Sequence, residues 1–159
     1  MCPLSPSSQK VQDLLFSLGY TSQVQESTIT TRTAADAAAL VGCDVGQIVK
    51  SLIFKGNATG KPILVLTSGS NRVDEKVISG YAAESIQRAD PEFVRSVTGY
   101  AIGGVPPIGH VKPMETYLDE DLMQYPEIWA AAGTPNSVFK LTPKELEEMT
   151  KGKVIKVKN

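Results

Sequence analysis

The chain has 159 residues, of which 42% are hydrophobic and 21% are charged, and its formal net charge at pH 7 is −1. Length and composition fit one globular domain spanning residues 1–159, and the near-neutral charge argues against a general nucleic-acid-binding protein with a basic face. No apolar run approaches the ~20 residues of a membrane span and no signal peptide is recognisable, so we expect a cytoplasmic protein without a membrane partner.

Neither a metal site nor an organic cofactor is expected. The sequence holds two cysteines, Cys2 and Cys43, and one histidine, His110, with no Cys-x-x-Cys pair. Zinc sites need several Cys, His or acidic ligands at characteristic spacings, which these residues do not provide. Both cysteines are interpreted as structural or incidental.

The first half of the chain alternates predicted helices and strands. Ser, Thr or Asp begins each helix, where a side-chain oxygen accepts hydrogen bonds from free N–H groups of the first turn. In chain order the predicted elements are a helix at Ser8–Leu18 capped by Ser7 or Ser8, a strand at Gln23–Thr30, a helix at Ala34–Leu40 capped by Thr33, a hairpin of strands at Ile48–Lys55 and Pro62–Thr67, and a helix through Ile78 and Gly80 capped by Asp74.

The second half contains more strands. In chain order the predicted elements are a helix from Pro91, capped by Asp90 and ending at Gly99, strands at Thr116–Leu118, Ile128–Ala132 and Ser137–Leu141, a helix at Pro143–Met149 capped by Thr142, and a strand at Val154–Val157. Lysines alternate with Val and Ile in the last strand, which favours an edge strand protected by charge over an RNA contact. The segment Asp119–Asp121 is predicted to be a solvated turn without chemistry.

Short strands thus interleave with short helices, without the long crossover helices of a parallel α/β fold. The pattern predicts an α+β fold with a mixed, largely antiparallel, barrel-like sheet flanked by short helices.

Lys50 is the first candidate functional residue. Strand alternation places it on one face with Ile48, Leu52 and Phe54. A charged ammonium group on an apolar face is costly unless it reaches water or an anion. Two interpretations remain open: Lys50 extends to solvent at the strand end, or it lines a cavity and meets an anionic or carbonyl group.

The second candidate is a loop rich in glycine and proline, Gly103–Gly109. Glycines allow backbone N–H groups to approach a ligand closely, and prolines stiffen the loop. Such a loop is suited to binding the oxyanion that develops during acyl transfer, although an ordinary turn has the same composition. His110 follows the loop, but no Ser-His-Asp or Cys-His arrangement supports it as a general base.

A third candidate is the alanine-rich segment Trp129–Gly133 with its continuation to Ser137. Small side chains ending in glycine leave room above a strand, as the wall of a small-ligand pocket does. Close packing against a helix explains the same alanines.

Four segments in order resemble the YbaK family and the editing domain inserted in bacterial prolyl-tRNA synthetases. The resemblance runs from about Thr33 to the C-terminus, and Ala131–Gly133 and the helix start Leu141–Pro143 follow in matching order. The four segments are Val49–Phe54, Arg72–Lys76, Ala89–Tyr100 and Gly103–Gly109.

This resemblance implies a compact α+β domain that hydrolyses the ester between an amino acid and the 3′-terminal adenosine of tRNA. Lys50 matches the family's characteristic lysine, and Gly103–Pro107 matches its GxxxP loop, whose backbone holds the substrate and the attacking water. The implied catalytic positions are Lys50, Gly103, Gly104 and Gly109. The implied substrate contacts are Ser51, Pro107, His110, Ala131, Gly133 and Asn136. The implied partners are the 3′ acceptor end of an aminoacyl-tRNA and an aminoacyl-tRNA synthetase.

The sequence departs from many relatives at two positions that shape the amino-acid pocket. Ser51 stands where some relatives carry Thr or Asn, and Ala131–Asn136 replaces a Ser-Ala-Gly segment followed by an Arg-Gly pair. The edited amino acid therefore stays open. So do two alternative functions, a non-catalytic tRNA- or synthetase-binding module and a hydrolase of a small acylated nucleotide.

Overall fold

The computed structural model describes residues 4–28 and 33–158. Within these ranges the chain forms five α-helices, which are α1 (Pro6–Ser17), α2 (Ala34–Val41), α3 (Glu75–Ala82), α4 (Pro91–Thr98) and α5 (Pro143–Thr150). It also forms eight strands, which are β1 (Val24–Glu26), β2 (Ile48–Gly56), β3 (Pro62–Ser68), β4 (Ile86–Arg88), β5 (Glu115–Asp119), β6 (Ile128–Ala131), β7 (Ser137–Leu141) and β8 (Lys153–Ile155). None of the helices in these ranges is long and apolar enough to cross a membrane.

The strands form one mixed sheet in the order β1-β7-β6-β2-β3-β5-β8, with β4 paired to β2. The β2–β3, β2–β4, β6–β7 and β1–β7 pairs are antiparallel, whereas β2–β6, β3–β5 and β5–β8 are parallel. The predicted α+β fold with a mixed sheet and short flanking helices is confirmed.

Helices cover both faces of the sheet. Leu15 of α1, Val97 of α4 and Leu146 of α5 pack in one large apolar cluster with Val49 and Ile53 of β2. The opposite face carries a smaller cluster, in which Ile78 and Ala82 of α3 contact Phe54, Ile63, Val65 and Tyr117. Close to it, Ala37 and Ala38 of α2 pack against Ile48. The two faces of β2 are therefore buried against different helices.

Most predicted caps are present. The side chains of Thr33, Asp74, Asp90 and Thr142 each accept a hydrogen bond from a backbone N–H of the first helical turn. The first helix differs, because it begins at Pro6, with Ser5 rather than Ser7 or Ser8 at its N-cap. Proline suits this position, since its fixed φ is helical and its missing N–H would have no partner there.

Several strands differ from the prediction. The strand predicted at Gln23–Thr30 is limited to β1 within the described residues, and its predicted end at Thr30 lies outside them. The last strand, β8, begins one residue earlier than predicted and ends two residues earlier, at Ile155. Beyond its end, the carbonyl of Val157 accepts a hydrogen bond from the N–H of Asp74. The short strand β4 was not predicted at all.

Candidate active site

A cleft of about 580 Å³ lies beside the middle of β2. It opens there because β6 pairs with β2 only at Ile48 and Val49, while β4 pairs only from Phe54 onward. Residues 50–53 of β2 thus have no strand partner on that side among the described pairings. Helix α2, strand β6, the β6–β7 turn and the loop after α4 supply the remaining walls.

Lys50 lines this cleft. Its side chain is partly buried, and its Nζ donates a hydrogen bond to the backbone carbonyl of Asn71 at 3.0 Å. Partial burial lowers the pKa of Lys50 below its usual value, the positive charges of Arg88 and Arg72 lower it further, and the negative charge of Asp119 opposes them. Of the two interpretations of Lys50, its position favours the cavity-lining one.

The loop after α4 reaches the opposite wall of the same cleft through Ile102, Gly103 and Val105. Gly103 has a φ of +90°, which favours glycine. The N–H of Gly104 donates within the loop to Ala101 at 3.0 Å. The N–H groups of Gly103 and Val105 have no hydrogen-bond partner within the described ranges, and both residues line the cleft.

Gly104 and Gly133 join the loop to the β6–β7 turn. The N–H of Gly133 donates to the carbonyl of Gly104 at 2.9 Å, and a Cβ added at Gly104 would lie 2.7 Å from Cα of Thr134. The turn is closed by Ser137, whose Oγ lies 2.7 Å from Oγ1 of Thr134. The Asn136 side chain donates to the carbonyl of Ser27 and does not line the cleft. Gly104, Gly133 and Asn136 thus fix the geometry of the cleft wall.

Gly109 and Pro107 lie behind the cleft, not among its lining residues. Gly109 has a φ of +81°, and a Cβ added there would lie 2.8 Å from Leu14 of α1. Gly133 makes a similar approach to α1, since its added Cβ would lie 2.7 Å from the carbonyl oxygen of Ser7. Helix α1 is therefore the common support of the loop and the turn.

Two further residues that were predicted to contact the substrate line the cleft. Ala131 of β6 contributes a small side chain to its wall, as the alanine-rich segment predicts. Ser51 lies next to Lys50, and its Oγ is buried without a hydrogen-bond partner in the described part of the chain. Leaving a buried hydroxyl unpaired costs about 1–3 kcal/mol, so a bound ligand that pairs with it gains affinity.

His110 does not line the cleft. Its Nε2 lies 2.7 Å from the carbonyl oxygen of Pro106, and it must donate there because a carbonyl can only accept. Burial lowers the pKa of His110 below its ordinary value of 6.5, although the hydrogen bond to Pro106 opposes this shift. The lowered pKa favours the neutral ring, and the hydrogen bond to Pro106 fastens the loop at its end.

We expect the partly buried His110 to make the protein less stable in acid. Because the pKa is lower in the folded state, the unfolded chain binds more protons as the pH falls through 6.5, and the free energy of unfolding decreases. The variant His110→Gln keeps a hydrogen-bond donor for Pro106 but cannot titrate in this range. Its free energy of unfolding, measured with urea at about pH 7.5 and about pH 5.5, should differ less between the two pH values than that of the wild type. An equal difference in both proteins would contradict this assignment.

Asp119 is the residue that sequence reasoning missed. It was predicted to lie in a solvated turn, but it is the last residue of β5 and is only 1% exposed. The predicted strand ended one residue too early, at Leu118. Continuing the alternation by one position would have placed Asp119 on the same face as Tyr117, inside the fold.

The cysteine prediction concerns one described residue, Cys43, since Cys2 lies outside the described residues. The Cys43 thiol donates to the carbonyl of Asp44 at 3.4 Å, and burial with nearby Asp44 and Glu127 raises its pKa. A raised pKa disfavours the reactive thiolate. Within the described ranges no group of three or more His, Cys, Asp or Glu side chains is placed to hold a metal ion.

Comparison with known proteins places this chain in a family. A model of the aminoacyl-tRNA editing domain matches residues 28–149, which is most of the chain. The chain belongs to the aminoacyl-tRNA editing domain family. The resemblance identified from the four sequence segments is therefore confirmed.

Individual relatives resemble this editing domain over most of their length. The uncharacterized Bacillus subtilis protein YwhH is 34% identical over 82% of the chain and 83% of YwhH. An Enterococcus faecalis protein, EbsC, provisionally named a Cys-tRNA(Pro)/Cys-tRNA(Cys) deacylase, is 29% identical over 79% of the chain and 76% of its own length. A crystal structure provisionally described as a trans-editing enzyme for prolyl tRNA synthetase is 49% identical, with a TM-score of 0.93 over 99% of both chains.

Proposed function

We propose that the protein is a freestanding trans-editing hydrolase that removes wrongly attached amino acids from tRNA. One observation carries this proposal: Lys50 lines the same cleft as Gly103 and Val105, two residues of the loop after α4 whose N–H groups have no partner in the described ranges. The volume of about 580 Å³ lies within the range of roughly 300–1,000 Å³ that holds small ligands, and an aminoacylated adenosine is such a ligand.

The reaction needs positioning more than a strong nucleophile, because an aminoacyl ester is already activated. Water attacks the carbonyl carbon, the bond between that carbon and the ribose oxygen breaks, and the ribose oxygen takes up a proton as the free amino acid leaves. Negative charge develops on the carbonyl oxygen in the transition state. The N–H groups of Gly103 and Val105 are suited to stabilise it, which typically contributes about 2.7–4 kcal/mol for each donor.

Lys50 has a separate role in this proposal. Its Nζ makes one hydrogen bond within the described ranges, to Asn71, so further N–H donors remain for a ligand. Arg72 and Arg88 lie close enough to lower the pKa of Lys50, so these three basic residues form a cluster at the Lys50 side of the cleft. Such a cluster suits the anionic 3′ end of a tRNA, because binding only this end neutralises few phosphates.

The relatives support the choice of substrate class and partner. Their provisional names refer to a tRNA deacylase and to a trans-editing enzyme for prolyl tRNA synthetase. We therefore propose an aminoacyl-tRNA as substrate, with prolyl-tRNA synthetase as the first synthetase partner to test.

Release of amino acid from a panel of mischarged tRNAs tests the proposal. Purified protein should hydrolyse at least one ester of a panel carrying Ala, Ser, Thr and Cys, well above the spontaneous rate. A matching aminoacyl-adenosine should react more slowly, since it lacks the phosphates that the positive cluster binds. No turnover on any ester would overturn the proposal. Tight tRNA binding without turnover would indicate a binding module instead, and equal rates on adenosine and tRNA esters would indicate a small acylated nucleotide as substrate.

A further inference from the structure

Lys50, Thr67 and Asp119 form a row across three neighbouring strands on one face of the sheet. Lys50 of β2 pairs with Thr67 of β3, and the β3–β5 register places Thr67 beside Asp119. Oγ1 of Thr67 donates to Oδ2 of Asp119 at 2.9 Å. A buried carboxylate therefore lies two strands away from the ammonium group at the cleft.

Asp119 holds the loop that follows β3. Its Oδ2 also accepts from the N–H of Ser68 at 2.9 Å and from Nδ2 of Asn71 at 2.8 Å, while Oδ1 accepts from the N–H of Asp121 at 2.9 Å. Hydrogen bonds to an ionised, buried acceptor are short and strong. This loop is consequently fixed to β5 as well as to its own strand.

Asn71 connects the carboxylate to Lys50. Its Nδ2 donates to both Asp119 and Asp121, and its Oδ1 accepts from Nζ of Lys158 at 2.9 Å. Its backbone carbonyl accepts from Nζ of Lys50. Because every polar atom of the amide is bound, the peptide that receives the Lys50 ammonium group has one orientation.

We propose that Asp119 is a positioning residue for Lys50, acting through Asn71. The carboxylate fixes the amide, the amide fixes the carbonyl, and the carbonyl directs the ammonium group into the cleft. This inference rests on the proposed function for its effect on catalysis. Its structural part, the link from Asp119 to Lys50, is testable without any substrate.

The charges around Lys50 also connect it to Asp119. Burial is the main cause of the lowered pKa of Lys50. Arg88 on β4 and Arg72 after Asn71 lower it further, and Asp119 on β5 is the charge that raises it. Loss of the carboxylate charge should leave Lys50 easier to deprotonate.

A double-mutant cycle tests the catalytic part. Asn71→Ala removes the side-chain bonds to Asp119, Asp121 and Lys158 but keeps the carbonyl that binds Lys50. Because that carbonyl then loses its fixed orientation, kcat/KM should fall about 10-fold, the equivalent of roughly 1.4 kcal/mol. In a Lys50→Ala background, measured in single turnover with enzyme in excess, the same change should have less than about a twofold effect. Asn57→Ala, which removes an exposed amide on the β2–β3 turn, is the matched control and should leave kcat/KM unchanged. Equal effects of Asn71→Ala in both backgrounds would overturn the proposal.

Titration of the lysine ε-carbon by NMR tests the structural part. In ¹³C-lysine-labelled protein, with the Lys50 signal assigned from Lys50→Arg, Asp119→Asn should lower the titration midpoint of Lys50. The substitution is nearly isosteric and keeps an acceptor for Thr67 and Ser68, and Asp13→Asn on α1 is the remote control. An unchanged midpoint would overturn the proposal. If the wild type hydrolyses no ester, the proposed function fails, whereas this titration still decides whether Asp119 controls Lys50.

Discussion

Lys50→Ala should lower kcat/KM for hydrolysis of the preferred aminoacyl-tRNA about 100-fold. A hydrogen bond to a charged group contributes about 1.5–3 kcal/mol, and each 1.4 kcal/mol corresponds to a factor of ten. The side chain is partly buried at the cleft, so no solvent ion replaces it well. The rate should be measured by release of radiolabelled amino acid under conditions in which the variant is fully folded.

Lys55→Ala is the matched control for this substitution. Lys55 lies on the same strand, but its Nζ is 5.1 Å from the centre of the Phe93 ring and it does not line the cleft. Removal of the Lys55 side chain should change kcat/KM less than about twofold, because a charge at the protein surface and away from the cleft contributes little. Similar losses in both variants would show that general positive charge, and not the position of Lys50, supports the reaction.

The pH dependence provides a second test of Lys50. Its pKa is lowered from the usual value of 10.5, so the cationic form disappears at a lower pH than for an exposed lysine. After subtraction of spontaneous ester hydrolysis, kcat/KM should fall on the alkaline side, and Lys50→Arg should move that fall to higher pH. A wild-type profile that stays flat through the alkaline range would contradict a role for the Lys50 cation.

Gly104→Ala should lower both activity and stability. An added Cβ would lie 2.7–2.9 Å from backbone atoms of Thr134, so the loop must move away from the β6–β7 turn. Overpacking of this kind costs about 1–3 kcal/mol, and a shift of about 1 Å in the neighbouring N–H donors can cost 100-fold in rate. Urea unfolding and deacylation kinetics measure the two effects separately.

Gly80→Ala is the control for glycine replacement. Gly80 lies within α3, and an added Cβ there meets no atom within 4 Å. Alanine is favoured over glycine in a helix by about 0.5–1 kcal/mol, so this variant should be slightly more stable and equally active. A Gly104→Ala protein with wild-type activity would contradict the proposed role of the loop.

Local features of the fold were predictable from the sequence. Thr33, Asp90 and Thr142 begin helices because each side chain binds an N–H group three residues ahead, and such contacts depend on nearby residues alone. The hairpin of β2 and β3 was predicted for the same reason. The three-residue strand β4 could not be predicted from the sequence, because it forms a strand only through its pairing with residues 54–56 of β2.

The candidate site was predictable in part. Lys50 and the loop after α4 were found from a charge in an apolar strand and from a cluster of glycines and prolines. Their meeting at one cleft could not be derived, because it depends on where β6 stops pairing with β2. The roles of the predicted site residues stay predictions until the variants are measured.

The sequence by itself determined the starts of helices α2 to α5, the hairpin, the strand face of Lys50 and the family. Only the tertiary structure decided that Gly104 lies against Thr134, that Gly109 lies against Leu14, and that Asp119 is buried. The physical reason is that these contacts join residues that lie far apart in the sequence. The hydrogen bonds that bury Asp119 join it to residues 48 to 52 positions away, and no local pattern records which distant donors a carboxylate will meet.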